Sequence, residues 1–137
     1  MTFTRYAVYY VPPEAAEWGR FGTAWLGWDL ADGAEVPHPA AAGLDVAAVT
    51  GVPRKYGLHA TVKPPFRLAG GSTEGALHEA CAALAAQTAP VVLDGLEIAR
   101  LGRFLALRPV GDETALNALA AWWVRDLDGF RAPPSDA

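Results

Sequence analysis

Lysine is scarce in this sequence. Of 137 residues only Lys55 and Lys63 carry an ammonium, and the formal net charge is −4. A broad basic face of the kind that general nucleic-acid binders present is therefore excluded, and no extended nucleic-acid partner is expected. A small phosphate ester held at one spot is still compatible with an acidic chain. There is one cysteine, Cys81, so no internal disulfide can form. That fits a reducing cytoplasm, the expected compartment. No run of 18 apolar residues could span a membrane, and the opening Met-Thr-Phe-Thr-Arg-Tyr lacks the apolar stretch of a signal peptide. Neither H-x-x-x-H nor C-x-x-C spacing occurs, so no metal site is read and no cofactor is expected. Carboxylates are missing from Val46 through Thr73, and that window holds both lysines with Arg54 and Arg67. A basic island in an acidic chain points to a small anionic ligand.

What is present suits a folded domain. The sequence is 52% hydrophobic and 19% charged, which fits one or two compact soluble units. A chain of this size buries about 70% of its unfolded surface. Thr2 to Val11 is aromatic and β-branched and reads as a strand. Pro12-Pro13 closes it and opens a helix, with Glu14 and Glu17 in its first turns and Trp18, Phe21 and Trp25 as its buried stripe. Residues 31–53 show no sustained period and read as a long connection, with one helical turn near Leu44 to Val49. Gly70-Gly71-Ser72-Thr73 reads as a turn with a helix cap, and the helix runs from about Glu74 to Gln87, burying Leu77, Cys81 and Leu84. Val91 to Ala99 and Phe104 to Pro109 read as strands of a hairpin. Asp112 is read as the cap of a last helix, with Leu116, Leu119, Trp123 and Leu127 on one stripe. The order is strand, helix, strand, helix, strand, strand, helix. It predicts an α+β fold with helices on one face of a mainly antiparallel sheet.

The remaining strand organises the others. In Tyr56-Gly57-Leu58-His59-Ala60-Thr61-Val62-Lys63-Pro64-Pro65-Phe66, alternation sends Leu58, Ala60 and Val62 to one side. His59, Thr61 and Lys63 go to the other, about 7 Å apart along the strand. The two prolines end the ladder because neither can donate a backbone hydrogen bond. Other histidines are weaker candidates. His78 lies off its helix stripe, and His38 sits in a proline-rich loop. A lone strand histidine is more often structural than catalytic, Cys81 reads as packing, and the tryptophans at 18, 25, 122 and 123 read as core. Trp28 has a second reading, as the flank of a ligand.

His59-Ala60-Thr61 fits the H-x-[ST] motif, and the chain resembles the 2H phosphoesterase superfamily. Within it, the DUF1045 family, linked to phosphonate metabolism, is the nearest resemblance. The blocks that carry it are Arg5 to Tyr10 with Pro12-Pro13, Phe21 to Gly27 with Asp29, Tyr56 to Phe66, and Ala99 to Gly102 with Phe104 to Leu107. Phe130 to Pro133 adds a last landmark. The resemblance implies one lobe of a two-lobed fold, residues 1–130, with 131–137 as a linker towards a second lobe. It implies a metal-independent phosphodiesterase acting on a small phosphorylated substrate. Two histidines, one per lobe, would exchange protons, a task suited to imidazole because its unperturbed pKa lies near neutrality. His59 and Thr61 are the expected catalytic pair, with Lys63, Tyr56, Arg67 and Tyr6 as substrate contacts. His38 and His78 are not followed by Ser or Thr at the third position, so a single H-x-[ST] is present. The expectation is a half-site that another lobe or chain completes, and self-association through the surface a second lobe covers. The alternative is a binding module that holds a phosphorylated ligand or a partner without turnover.

Overall fold

The computed structural model of the chain describes residues 3–135. In chain order its elements are β1 (Tyr6–Tyr10), α1 (Glu17–Leu26), β2 (Trp28–Asp29), β3 (Ala34–Glu35), α2 (Val46–Thr50) and β4 (Ala60–Phe66). Then come α3 (Glu74–Gln87), β5 (Gly95–Leu101), β6 (Phe104–Val110) and α4 (Thr114–Asp126). Short 3₁₀ turns cover Pro53–Tyr56 and Asp128–Phe130. The α+β class expected from the sequence is observed. The single sheet is not: among the described residues the strands form three two-stranded ladders, β1 with β4, β2 with β3 and β5 with β6. The pairs β2–β3 and β5–β6 are antiparallel. No helix among the described residues is long and apolar enough to cross a membrane.

Two compact units divide the chain: Val8–Thr61, and a second that joins the chain up to Ala7 with everything from Val62 on. In the Val8–Thr61 unit, α1 stops at Gly27, whose φ of 77° is left-handed and whose N–H bonds back to the Thr23 and Ala24 carbonyls. The expected aromatic stripe of α1 is corrected. Trp18 and Phe21 are 42% and 61% exposed, whereas Gly19 is buried. The packed face of α1 is its glycine face. Pro12 lies against Gly19 and Leu58 against Gly22, at separations that no Cβ would permit. Asp29 Oδ1 accepts from the Ala31 and Asp32 N–H groups and shapes the β2–β3 connection. Asp45 caps α2 through the Ala48 N–H, and α2 buries Val46 and Thr50. β3 falls inside the stretch 31–53, expected to be mostly irregular, and α2 matches the one helical turn expected there near Leu44 to Val49.

In the other unit the expectation for α3 holds at both ends. Thr73 accepts from the Ala76 N–H as its cap, and Leu77 and Leu84 are buried. Burial pushes the half-buried Cys81 thiol above its usual pKa, in keeping with a packing role. Leu127, at the end of α4, is fully buried. Trp123 Nε1 donates to Thr88 Oγ1 at 3.0 Å and ties α4 to the end of α3. The hairpin is tighter than expected. β5 starts at Gly95, not Val91, and the ladder continues to Leu101↔Phe104, leaving Gly102 and Arg103 as the turn. Gly102 has a φ of 60°, which suits a two-residue turn. Residues 130–132, read from position 131 on as linker, are bonded to 67–69. The Ala69 N–H donates to the Phe130 carbonyl at 2.8 Å and the Ala132 N–H to the Arg67 carbonyl at 2.7 Å. Thr2 and the last two linker residues lie outside the described residues.

Candidate functional site

His59 is the starting point, and three local features of the Val8–Thr61 unit position it. The 3₁₀ turn Pro53–Tyr56 ends at Gly57, with φ 67° and ψ 178°. This region of backbone space is essentially restricted to glycine. A Cβ there would also overlap the Leu30 side chain. Next, Leu58 is seated against α1 at Gly22. Finally, the imidazole of His59 stacks on Tyr9 of β1, with ring centroids 3.9 Å apart and planes 22° from parallel. Its Nδ1 lies 3.0 Å from the Gly57 carbonyl oxygen. A carbonyl only accepts, so the proton of the neutral ring resides on Nδ1. Nε2 is then left with its lone pair. That is the arrangement of a nitrogen able to take a proton from water or a hydroxyl. His59 is half-buried, and Thr61, two residues on, is exposed.

The other expected site residues have neighbours of their own. Lys63 is corrected from a ligand-facing position to a structural one. It is 3% exposed, and its Nζ donates to the Val124 carbonyl at 3.1 Å and to Asp128 Oδ1 at 3.2 Å. The physical reason is the burial pattern of β4. Lys63 and Phe66 are buried with Pro64 and Pro65 exposed between them, and Ala60 is exposed, so strict alternation fails. The Lys63 ammonium also sits 5.4 Å from the Phe66 ring centroid. Asp128 is shared with Arg131, which reaches its two oxygens at 2.7 and 3.2 Å. The Arg131 hydrogen bonds, and then that of Lys63, hold the Asp128 carboxyl down at about 2.

Tyr6 and Arg67 belong to the same unit as Lys63 and are likewise engaged. The Tyr6 hydroxyl donates to Glu74 Oε2 at 3.0 Å; burial, and then this carboxylate, raise the phenol above its usual pKa. Arg67 donates to the Pro133 carbonyl at 3.2 Å. Tyr56 is 49% exposed, with the Lys55 ammonium 5.0 Å from its ring centroid. His38 is structural: Nδ1 bonds the Trp25 carbonyl at 2.9 Å and the ring covers Gly27. His78 is exposed on α3.

Two contributors were missed from the sequence, Tyr9 as the stacking partner and the Gly57 carbonyl as the acceptor. The Tyr56-Gly57 pair ahead of His59 carried a signal, since glycine is the default residue where the backbone must take a conformation that other residues avoid. A cavity of about 410 Å³ is lined by Leu58 with Arg20, Asp29 and Asp32, and does not include His59.

A family model described as a protein of unknown function, DUF1045, matches residues 61–137, more than half of the chain. The chain belongs to the DUF1045 family. Among curated proteins it is 38% identical over 129 residues to the ribose 1,5-bisphosphate phosphokinase PhnN of Laribacter hongkongensis (strain HLHK9). That match covers 94% of this chain and 31% of the relative. It is 35% identical over 135 residues to the protein of the same name from Janthinobacterium sp. (strain Marseille), covering 96% of this chain and 30% of that one. This DUF1045 chain thus spans about three tenths of the length of the curated relatives it matches. No solved structure matches.

Proposed function

We propose that this DUF1045 chain contributes one half of a metal-independent, 2H-type phosphodiesterase site for a small cyclic phosphate or phosphodiester, within phosphonate metabolism. The observation that carries the reading is the held imidazole. With Nδ1 on the Gly57 carbonyl and the ring on Tyr9, His59 keeps Nε2 available for proton transfer. Thr61 is the hydroxyl proposed to hold a non-bridging phosphate oxygen. A second H-x-[ST], supplied by another lobe or chain, would donate the proton to the leaving oxygen. The relatives' printed name, a ribose bisphosphate phosphokinase, supports a phosphorylated ribose as the substrate class. The kinase step itself is not assigned to this stretch. Neither Lys55 nor Lys63 follows a glycine, so these 137 residues lack the glycine–lysine pair with which a P-loop cradles phosphates.

The test is hydrolysis of a nucleoside 2′,3′-cyclic phosphate with EDTA present, by this chain joined to a segment carrying a second H-x-[ST]. His59→Ala should lower the rate by about 10²- to 10⁴-fold. Thr61→Val should cost less, because it deletes one hydrogen bond and keeps the β-branched shape. Full activity in His59→Ala, or activity abolished by EDTA, contradicts the reading. One observation favours a second reading, a binding module without turnover: of the three histidines only His59 carries the motif. Saturable binding of the cyclic phosphate at His59, with no hydrolysis even when the second motif is joined, would select it.

A further inference from the structure

A second pocket in the Val8–Thr61 unit has chemistry of its own. It is an open depression of about 350 Å³ lined by Trp28, Glu35, Gly51, Arg54 and Lys55. That volume lies in the range of small-ligand sites. Trp28 and Glu35 are directly opposed in the β2–β3 ladder, so their side chains share one face. Arg54, on the 3₁₀ turn, forms an ion pair with Glu35 that fixes its guanidinium at this corner. The Arg54 side chain is 32% exposed and that of Glu35 is 74% exposed. Lys55 adds a second cation, its ammonium held near the Tyr56 ring. Arg54 thus pairs with the one carboxylate, and Lys55 and Trp28 line the same pocket. A guanidinium presents a planar fork of donors that matches phosphate oxygens. An indole face stacks on a nucleobase whatever its sequence.

We propose that this pocket binds a nucleoside monophosphate, with its base on Trp28 and its phosphate on Arg54 and Lys55. It is a site separate from His59, whose neighbours Tyr9 and Gly57 do not line it. Glu35 is the internal competitor. It pairs with Arg54 and yields it to the phosphate on binding.

The test follows the Trp28 indole N–H by NMR, assigned with a Trp28→Leu variant, while the 137-residue chain is titrated with AMP, adenosine or inorganic phosphate. AMP should shift the Trp28 signal saturably and bind about tenfold or more tighter than either fragment. Trp28→Leu should weaken AMP about tenfold and leave inorganic phosphate unchanged. Arg54→Gln should weaken both. Glu35→Gln should tighten both, a gain that a damaged fold cannot imitate. Three results overturn the proposal: AMP shifting His59 but not Trp28, Trp28→Leu binding AMP like the parent chain, or Glu35→Gln weakening it.

Discussion

Gly57→Ala should destabilise this protein more than any ordinary surface change, because Gly57 meets two constraints at once. Its backbone, at φ 67° and ψ 178°, lies where a side chain is not tolerated. Holding alanine there costs about 1–3 kcal/mol. The new Cβ would also overlap Leu30, at Cγ and both Cδ atoms, so the whole side chain must move. Overpacking of this kind costs about 1–3 kcal/mol. The sum, about 2–6 kcal/mol, is a large part of the roughly 5–15 kcal/mol that holds a typical domain together. Urea denaturation of the parent, Gly57→Ala, Leu30→Ala and the double variant separates the two parts. Leu30→Ala removes the overlap and not the strained backbone. The double variant should therefore be more stable than additivity predicts by about 1–3 kcal/mol, the overpacking term. A Gly57→Ala protein within about 0.5 kcal/mol of the parent, the range of neutral surface changes, refutes the reasoning. A milder readout sits at the site itself. Moving the Gly57 carbonyl should release His59 Nδ1, so the ring should show a mixture of tautomers.

Acid should expose the Asp128 contacts with Arg131 and Lys63. The folded carboxyl is depressed to about 2, so its contribution is complete above the unfolded value near 3.9 and is lost as pH falls towards 2. Asp128→Asn should flatten stability against pH between about 4 and 2, as read by denaturation at each pH; an unchanged slope contradicts the pairing. For packing, the expected order of two apolar positions is set by exposure. Leu127→Ala, at 0% exposure, should cost about 2–5 kcal/mol, while Phe21→Ser, at 61% exposure, should stay within about 0.5 kcal/mol. Equal losses in thermal denaturation would contradict the description of α1.

The elements that local pattern dictates were legible in the sequence. α3 has a threonine cap and apolar residues at helical spacing, and its ends match the expectation. Position in space was less legible. Trp18 and Phe21 look like a core stripe, yet the packed face of α1 runs through Gly19 and Gly22. What a glycine packs against is a property of its distant partner, here Leu58, and leaves no periodic signal. Lys63 failed for a similar reason. Alternation placed it beside His59, but its burial is set by Asp128 and the Val124 carbonyl, more than sixty residues away. The pairing of β1 with β4, about fifty residues apart along the chain, is equally non-local, whereas the β5–β6 hairpin was legible from its turn. The H-x-T motif singled out His59 as the candidate. Its Tyr9 stack and Gly57 acceptor follow from the path of the backbone and needed the structure.

The central claim is that His59 presents a free, proton-accepting Nε2 to a phosphate ester. Long-range ¹H–¹⁵N spectra of the His59 ring at neutral to mildly alkaline pH, with and without a nucleoside 2′,3′-cyclic phosphate, test it most directly. The account predicts a protonated Nδ1 and a bare Nε2 in the free chain, with the ligand shifting Nε2 and Thr61→Val weakening that shift. A ring protonated at Nε2 with Nδ1 bare, or a His59 spectrum indifferent to the ligand at saturating concentration, would contradict it.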